Sequence, residues 1–131
     1  MTTVEQSRHL VSHNIDPCTA DLTYEKIAVT GSAIDIPEDM CYRFRHIPFR
    51  FYSGIGLPAW SLSGLLDLMP DTIEYCFHLR MNKQDGEYIF SYDNDDGYTL
   101  VSFWAATALE AAYDMVVWLA EKGHITTKQR T

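Results

Sequence analysis

The chain has 131 residues, a formal net charge of −8 and a composition that is 47% hydrophobic and 21% charged. That length predicts one domain with room for a real core, and that mixture argues against intrinsic disorder. The acidity argues against a general nucleic-acid binder, which needs a basic footprint, and suits a basic protein partner. Cys18, Cys41 and Cys76 are odd in number and far apart, so they suggest neither a disulfide framework nor a metal pair. They read as reduced thiols of a cytoplasmic protein. The N-terminus has no apolar leader, and the longest strictly apolar run, Met115 to Ala120, is too short to span a bilayer.

Taken in chain order, Val4 to His13 predicts an amphipathic helix anchored by Val4, Leu10 and Val11, with Asn14 as its stop. Asp16-Pro17 reads as a cap followed by proline at the first helical position, which predicts a second short helix over Pro17 to Tyr24. From Tyr24 to Asp39 the pattern is ambiguous, with turn chemistry at Thr30-Gly31-Ser32 and Ile36-Pro37-Glu38-Asp39. Tyr42 to Tyr52 reads as extended, and Pro48 demotes it to an edge strand or two short pieces. Gly54, Gly56 and Pro58 suggest a connector. Ser61 or Ser63 then caps a helix that runs to Met69 and is stopped by Pro70.

Ile73, Tyr75, Phe77, Leu79 and Met81 alternate with polar residues, which predicts a half-buried strand reaching Asn82. Gln84-Asp85-Gly86 turns the chain into a second strand, Glu87 to Tyr92, with Tyr88, Phe90 and Tyr92 on one face. After a turn at Asp93 to Gly97, Tyr98 to Trp104 forms a third strand, apolar on both faces. Strands joined by such short turns imply an antiparallel meander. Thr107-Ala108-Leu109-Glu110 fits a capping box, and the following helix ends near Lys122 and Gly123. Its wide apolar face holds Leu109, Ala112, Tyr113, Val116, Val117, Leu119 and Ala120. Glu110, Asp114 and Glu121 mark a narrow wet stripe with Trp118 beside it.

Several groupings invite a chemical reading. His9 and His13 stand one helical turn apart with Asp16 nearby, but no second ligand pair supports a metal site, and none is expected. Asp93-Asn94-Asp95-Asp96-Gly97 resembles a calcium loop only superficially: the glycine comes too soon, and Trp104 stands where the ligating glutamate belongs. It reads as a polar hairpin turn. Tyr42 to Tyr52 interleaves Arg43, Arg45 and Arg50 with aromatics, a pattern able to stack bases and hold phosphates. It reads first as an amphipathic strand with solvated arginines, with docking onto the acidic hairpins, within or between chains, as a further option. Cys76 and His78 share a strand face without a third, orienting group. No nucleophile elbow, phosphate loop or dinucleotide fingerprint occurs, and no cofactor is expected. Trp60, just before a capped helix, reads as a core staple.

Two segments carry a family likeness. Leu57-Pro58-Ala59-Trp60-Ser61-Leu62-Ser63-Gly64-Leu65-Leu66-Asp67-Leu68-Met69-Pro70 and the helix Ala111-Ala112-Tyr113-Asp114-Met115-Val116-Val117-Trp118-Leu119 together resemble small uncharacterised proteins of bacterial phages, prophages and other mobile elements. The likeness covers roughly residues 14–123. It implies an intracellular, mobile-element setting and no particular activity.

These readings converge on an α+β fold: a three- to four-stranded antiparallel meander packed against a long C-terminal helix, with short N-terminal and central helices. One domain spans residues 1–131, with 1–13 and 124–131 as candidate peripheral or frayed ends. The leading functional expectation is a non-enzymatic protein-interaction or self-associating module, with Trp118, Asp114, Arg43, Arg45 and Arg50 as candidate partner-surface residues. One alternative is a nucleic-acid role, either single-strand binding through Arg43, Arg45 and Arg50 or acidic DNA mimicry. The other is an enzyme in which His46, His78 or His124 meets carboxylates in a cleft.

Overall fold

The computed structural model describes residues 1–27 and 41–125. Its elements are α1 (Val4–Ser12), β1 (Leu22–Lys26), β2 (Tyr42–Arg45), β3 (Gly56–Ala59), α2 (Leu62–Leu68), β4 (Thr72–Ile73), β5 (Phe77–Gln84), β6 (Glu87–Asp93), β7 (Thr99–Ala105) and α3 (Ala108–Glu121). The strands form two antiparallel sheets, a four-stranded meander in the order β4-β5-β6-β7 and a three-stranded sheet in the order β2-β1-β3. The α+β class, the meander and the long C-terminal helix are as the sequence predicts; the second sheet is an addition. The turn chemistry expected between Thr30 and Asp39 lies outside the described residues.

Three local expectations change, and one open alternative is resolved. Pro17 to Tyr24 is not a helix: Asp16 caps only a single 3-10 turn, Pro17–Thr19, through Cys18 N–H, and the chain then enters β1. The Asp-Pro signal is local, whereas the strand is imposed by partners on both sides, with Thr23 opposite Arg45 and Pro58. The connector at Gly56 to Ala59 is β3. Its proline is tolerated because β3 is an edge strand, where a missing N–H costs no ladder bond. The continuous strand from Ile73 to Asn82 is broken. Glu74 and Tyr75 adopt positive φ values of 49° and 71°, folding β4 back on β5 with Ile73 opposite Phe77. Tyr75 therefore points wholly into solvent, and its place in the alternation is coincidental. Finally, Ser61 and not Ser63 caps α2, accepting from Gly64 N–H at 3.1 Å.

The turns of the meander follow their residue chemistry. Asp85 and Gly86 have φ values of 53° and 80°, the left-handed pair that a two-residue hairpin between Gln84 and Glu87 requires. Between β6 and β7 the Asn94 carboxamide accepts from Asp96 N–H at 3.0 Å and Tyr98 N–H at 2.9 Å. The acidic run is thus a turn organised by an asparagine. Thr107 caps α3 by accepting from Glu110 N–H at 3.1 Å, and Gly123, at φ 74°, ends it. The complete capping box lies on α1, between Thr3 and Gln6.

α3 packs on one face of the meander through Ala111, Ala112, Met115, Val116 and Leu119, which are buried against Phe90 and Tyr92 of β6. The helix is rotated slightly from the sequence expectation, bringing Ala111 and Met115 inside. α1 adds Val4 and Leu10, and Ile15 follows it into the interior.

Trp60 joins these parts. It is wholly buried where β3 passes into α2. Its N–H donates to Thr2 Oγ1 at 3.1 Å, its carbonyl accepts from Thr2 N–H at 2.8 Å, and its indole N–H donates to Thr19 Oγ1 at 3.1 Å. Thr2 Oγ1 in turn bonds Ser7 of α1 at 2.8 Å, and the Thr2 carbonyl accepts from Tyr24 of β1 at 2.7 Å. Next door, the Asp21 carboxylate accepts from both the N–H and the hydroxyl of Ser61. A Cβ at Gly64 would sit 2.5 Å from Asp21 Oδ1, so glycine is what lets helix and carboxylate approach.

Trp60→Ala is expected to cost about 3–5 kcal/mol, the usual scale for removing a buried tryptophan. Set against a total of about 5–15 kcal/mol for such domains, urea unfolding should register a large fall in midpoint. A variant within about 1 kcal/mol of the parent would contradict the junction's importance.

Candidate interaction site

Sheet edges distinguish one surface from the rest. An exposed edge strand offers unpaired N–H and C=O groups, and proteins blunt such edges with charge, proline, short length or bulges. β2 carries Arg43 and Arg45, β3 carries Pro58, β4 is two residues long, and the part of β5 beyond β4 carries Arg80 and Lys83. β7 is outermost in its sheet, seven residues long, and has no charged residue and no proline. Its one irregularity is near its start: Tyr92 pairs with Val101 and Asp93 with Thr99, so Leu100 is an extra, bulged residue. From Val101 to Ala105 the strand is regular.

The pairing register assigns its faces. Val101, Phe103 and Ala105 lie opposite Tyr92, Phe90 and Tyr88 on the side covered by α3. Ser102 and Trp104 lie opposite Ser91 and Ile89 on the open side. Trp104 is 51% exposed, Leu100 earlier on the strand is 39% exposed, and Tyr98 just before it is 70% exposed. Among the described residues, large apolar groups thus lie on the one sheet edge that is both long and free of charge and proline.

On the covered side an open groove of about 310 Å³ adjoins this edge. Phe103 forms its β7 wall. Tyr113, Asp114, Val117, Trp118 and Glu121 form the α3 wall, and His9 of α1 closes one end. Trp118 is half-buried and stacks on His124, with ring centroids 5.4 Å apart and planes at 26°. The structure therefore brings together Trp118 and Asp114 and adds Phe103, which the sequence reading had not singled out. His9 Nδ1 shares a hydrogen bond with the Tyr113 hydroxyl, and His13 Nε2 meets Glu121 at 3.2 Å. Burial foremost, then the charges of Asp114 and Glu5, push the Tyr113 phenol up, so it stays protonated at neutral pH and donates when His9 Nδ1 is free to accept. Burial, then the nearby Glu110, raise the Asp114 carboxyl above the usual aspartate value.

The basic segment is placed elsewhere and is partly engaged. Arg43 and Arg45 both reach Glu25 on β1, at 3.2 and 2.8 Å. The hydrogen bond from Arg43 leads in holding the Glu25 carboxyl below the ordinary range, with both arginine charges adding to it. Arg50 lies over the Phe51 ring at 4.5 Å. Arg43 and Arg45 thus dock across strands within the chain, on Glu25 and not on the acidic hairpins.

The other three histidines are dispersed. His78 lies 4.0 Å from Asp95 and accepts or donates at 3.0 Å with Thr72, His124 lies 3.8 Å from Glu74, and His46 packs edge-on to Phe44. Each is a separate surface contact. Among the described residues no three His, Cys, Asp or Glu side chains converge as metal ligands, and His9 and His13 instead touch ring to ring at 4.4 Å. Among them, too, no helix is long and apolar enough to cross a membrane. A second concavity, of about 360 Å³, lies on the open sheet face between Arg80, Asn82, Ile89, Ser91 and Asp93.

No family model matches the chain, and neither a curated protein nor a solved structure does.

The raised Asp114 pKa fixes the sign of a pH effect. The folded state binds this proton more tightly than the unfolded chain, so its carboxylate costs stability as pH rises through the folded pKa. Asp114→Asn should therefore raise the melting temperature at pH 7 and have no such benefit well below the ordinary value of 3.8. Equal effects at both pH values would contradict the assignment of Asp114 to a desolvated groove wall.

Proposed function

We propose that the protein is a non-enzymatic interaction module that engages a polypeptide through the free edge of β7 and the adjoining α3 groove. The observation that carries the reading is that, among the described residues, β7 alone of the sheet edges is long, free of charge and proline, and carries exposed Leu100 and Trp104. Strand addition at such an edge draws affinity from main-chain hydrogen bonds and specificity from pockets for alternate side chains. Here the groove at Phe103, Val117 and Trp118 lies on the side where inward residues of an added strand would fall. Cys18, Cys41 and Cys76, none of them in a disulfide, fit a reducing, cytoplasmic setting, and the motif likeness supports a mobile-element origin.

The nucleic-acid reading is weaker because Glu25 already engages Arg43 and Arg45. An enzymatic reading has less support, because His78 and His124 meet different carboxylates, Asp95 and Glu74, at the long distances of 4.0 and 3.8 Å.

Two measurements test this. Capture from host lysate should return a partner, or self-association should occur, with the parent chain, and either should be lost with Ser102→Glu plus Trp104→Glu. Both positions are exposed, so folding should persist by circular dichroism. Neither β7-dependent capture nor self-association would overturn the reading. With a labelled single strand at low salt, anisotropy should show no binding. Binding that disappears on Arg43→Glu plus Arg45→Glu would replace this reading with the nucleic-acid one.

A further inference from the structure

We infer that the groove at Phe103 takes an arginine side chain of the bound polypeptide, stacked against Trp118 and paired with the carboxylates of Asp114 and Glu121. The inference rests on the reading of β7 and the α3 groove as the binding surface and adds the chemistry of the partner.

Spacing along α3 puts rings and carboxylates on one wall. Asp114, Trp118 and Glu121 follow one another at intervals of four and three residues, so they share a helix face with the indole between the two acids. Phe103 forms the opposite wall on β7, and Tyr113 and Val117 complete the α3 side. An aromatic ring attracts a cation, and a carboxylate beside it holds the same cation by charge-assisted hydrogen bonds. A guanidinium meets both demands together. It is planar and lies flat on a ring, and its N–H groups form a fork that matches a carboxylate. An aliphatic side chain would cover the rings and leave the acids unanswered, and an acidic one would be repelled.

The groove does not supply this cation itself. None of its lining residues is lysine or arginine, and its one basic group, His9, is engaged with the Tyr113 hydroxyl. Glu121 meets His13 at 3.2 Å, whereas among the described residues no cation pairs with Asp114. Burial and the neighbouring Glu110 both act against the Asp114 carboxylate, so an incoming positive charge relieves it on two counts. The whole chain, with 18 acidic residues against 10 lysines and arginines, draws a basic partner toward this surface.

Titration of the isotope-labelled full chain with three pentapeptides, followed by nuclear magnetic resonance at the Trp118 indole N–H, tests the inference. The peptides are alternating valine–threonine sequences with arginine, norleucine or glutamate at the centre. The arginine peptide should shift the Trp118 signal and bind about tenfold more tightly than the norleucine peptide, the scale of one hydrogen-bonded charge pair. The glutamate peptide should bind most weakly. Asp114→Asn should remove most of the arginine advantage and leave norleucine binding unchanged. That substitution is expected to stabilise the fold at pH 7, so the loss is not one of folding, and Asp114→Glu should keep the advantage. Equal binding of the arginine and norleucine peptides, or an arginine advantage untouched by Asp114→Asn, overturns the inference. If Ser102→Glu plus Trp104→Glu abolishes binding in either case, the binding-edge reading stands without it. An arginine advantage that survives the double-glutamate variant keeps the cation in the groove and overturns the edge reading. No shift at Trp118 with any peptide overturns the inference and leaves the edge reading to partner capture.

Discussion

Trp60 is buried completely where β3 gives way to α2, and segments distant in the chain hydrogen-bond to it. Thr2 closes a two-way backbone and side-chain clasp on it, Thr19 takes its indole proton, and Thr2 passes the connection on to Ser7 and Tyr24. A polar group buried without partners is costly, so these bonds fix where α1, β1 and the entry to α2 must meet. No buried side-chain polar atom among the described residues is left without a partner. The N-terminal segment, α1, β1 and the β3–α2 junction are tied together at this residue.

With the interior fixed this way, α3 covers one face of the meander and leaves β7 at the margin. The helix is long enough to bury Phe90 and Tyr92, but beside β7 a groove remains at Phe103. The other edges have features that oppose pairing, some of which also serve another purpose. Arg43 and Arg45 guard β2 while clamping Glu25 on β1, and Pro58 guards β3 while setting its backbone. On β7 the exposed side chains, Thr99, Leu100, Ser102 and Trp104, carry no charge, and in the preceding turn Asp93 accepts from Thr99 at 2.7 Å while the Asp96 N–H donates to Asn94.

Local chemistry made much of this legible. The Asp85-Gly86 hairpin, the Ser61 and Thr107 caps, the alternation of Tyr88, Phe90 and Tyr92 and the stop at Gly123 each follow from residues near in sequence. The three-stranded sheet was not legible, because β1 and β3 are four or five residues long and owe their form to partners far along the chain. The strand expected through Tyr75 failed because period-two spacing cannot register two consecutive left-handed residues. At the candidate site, Trp118 and Asp114 were visible beside the polar stripe of α3. Phe103 and Trp104 were also visible as members of a strand apolar on both faces, but that pattern suggests burial on both sides. Only the strand order shows that β7 has no outer neighbour among the described residues. The likeness to mobile-element proteins supplied no site residues.

The central claim is that β7 is the edge at which this protein binds, and amide hydrogen exchange read strand by strand tests it most directly. In dilute solution the outward amides of Val101 to Ala105 should exchange quickly, as those of any free edge do. With a captured partner bound, or on raising the protein concentration, they should slow, while the edges of β2, β3 and β5 stay unchanged. Protection that appears on one of those edges instead, or β7 amides that exchange at one rate at all concentrations with or without a captured partner, would contradict the account.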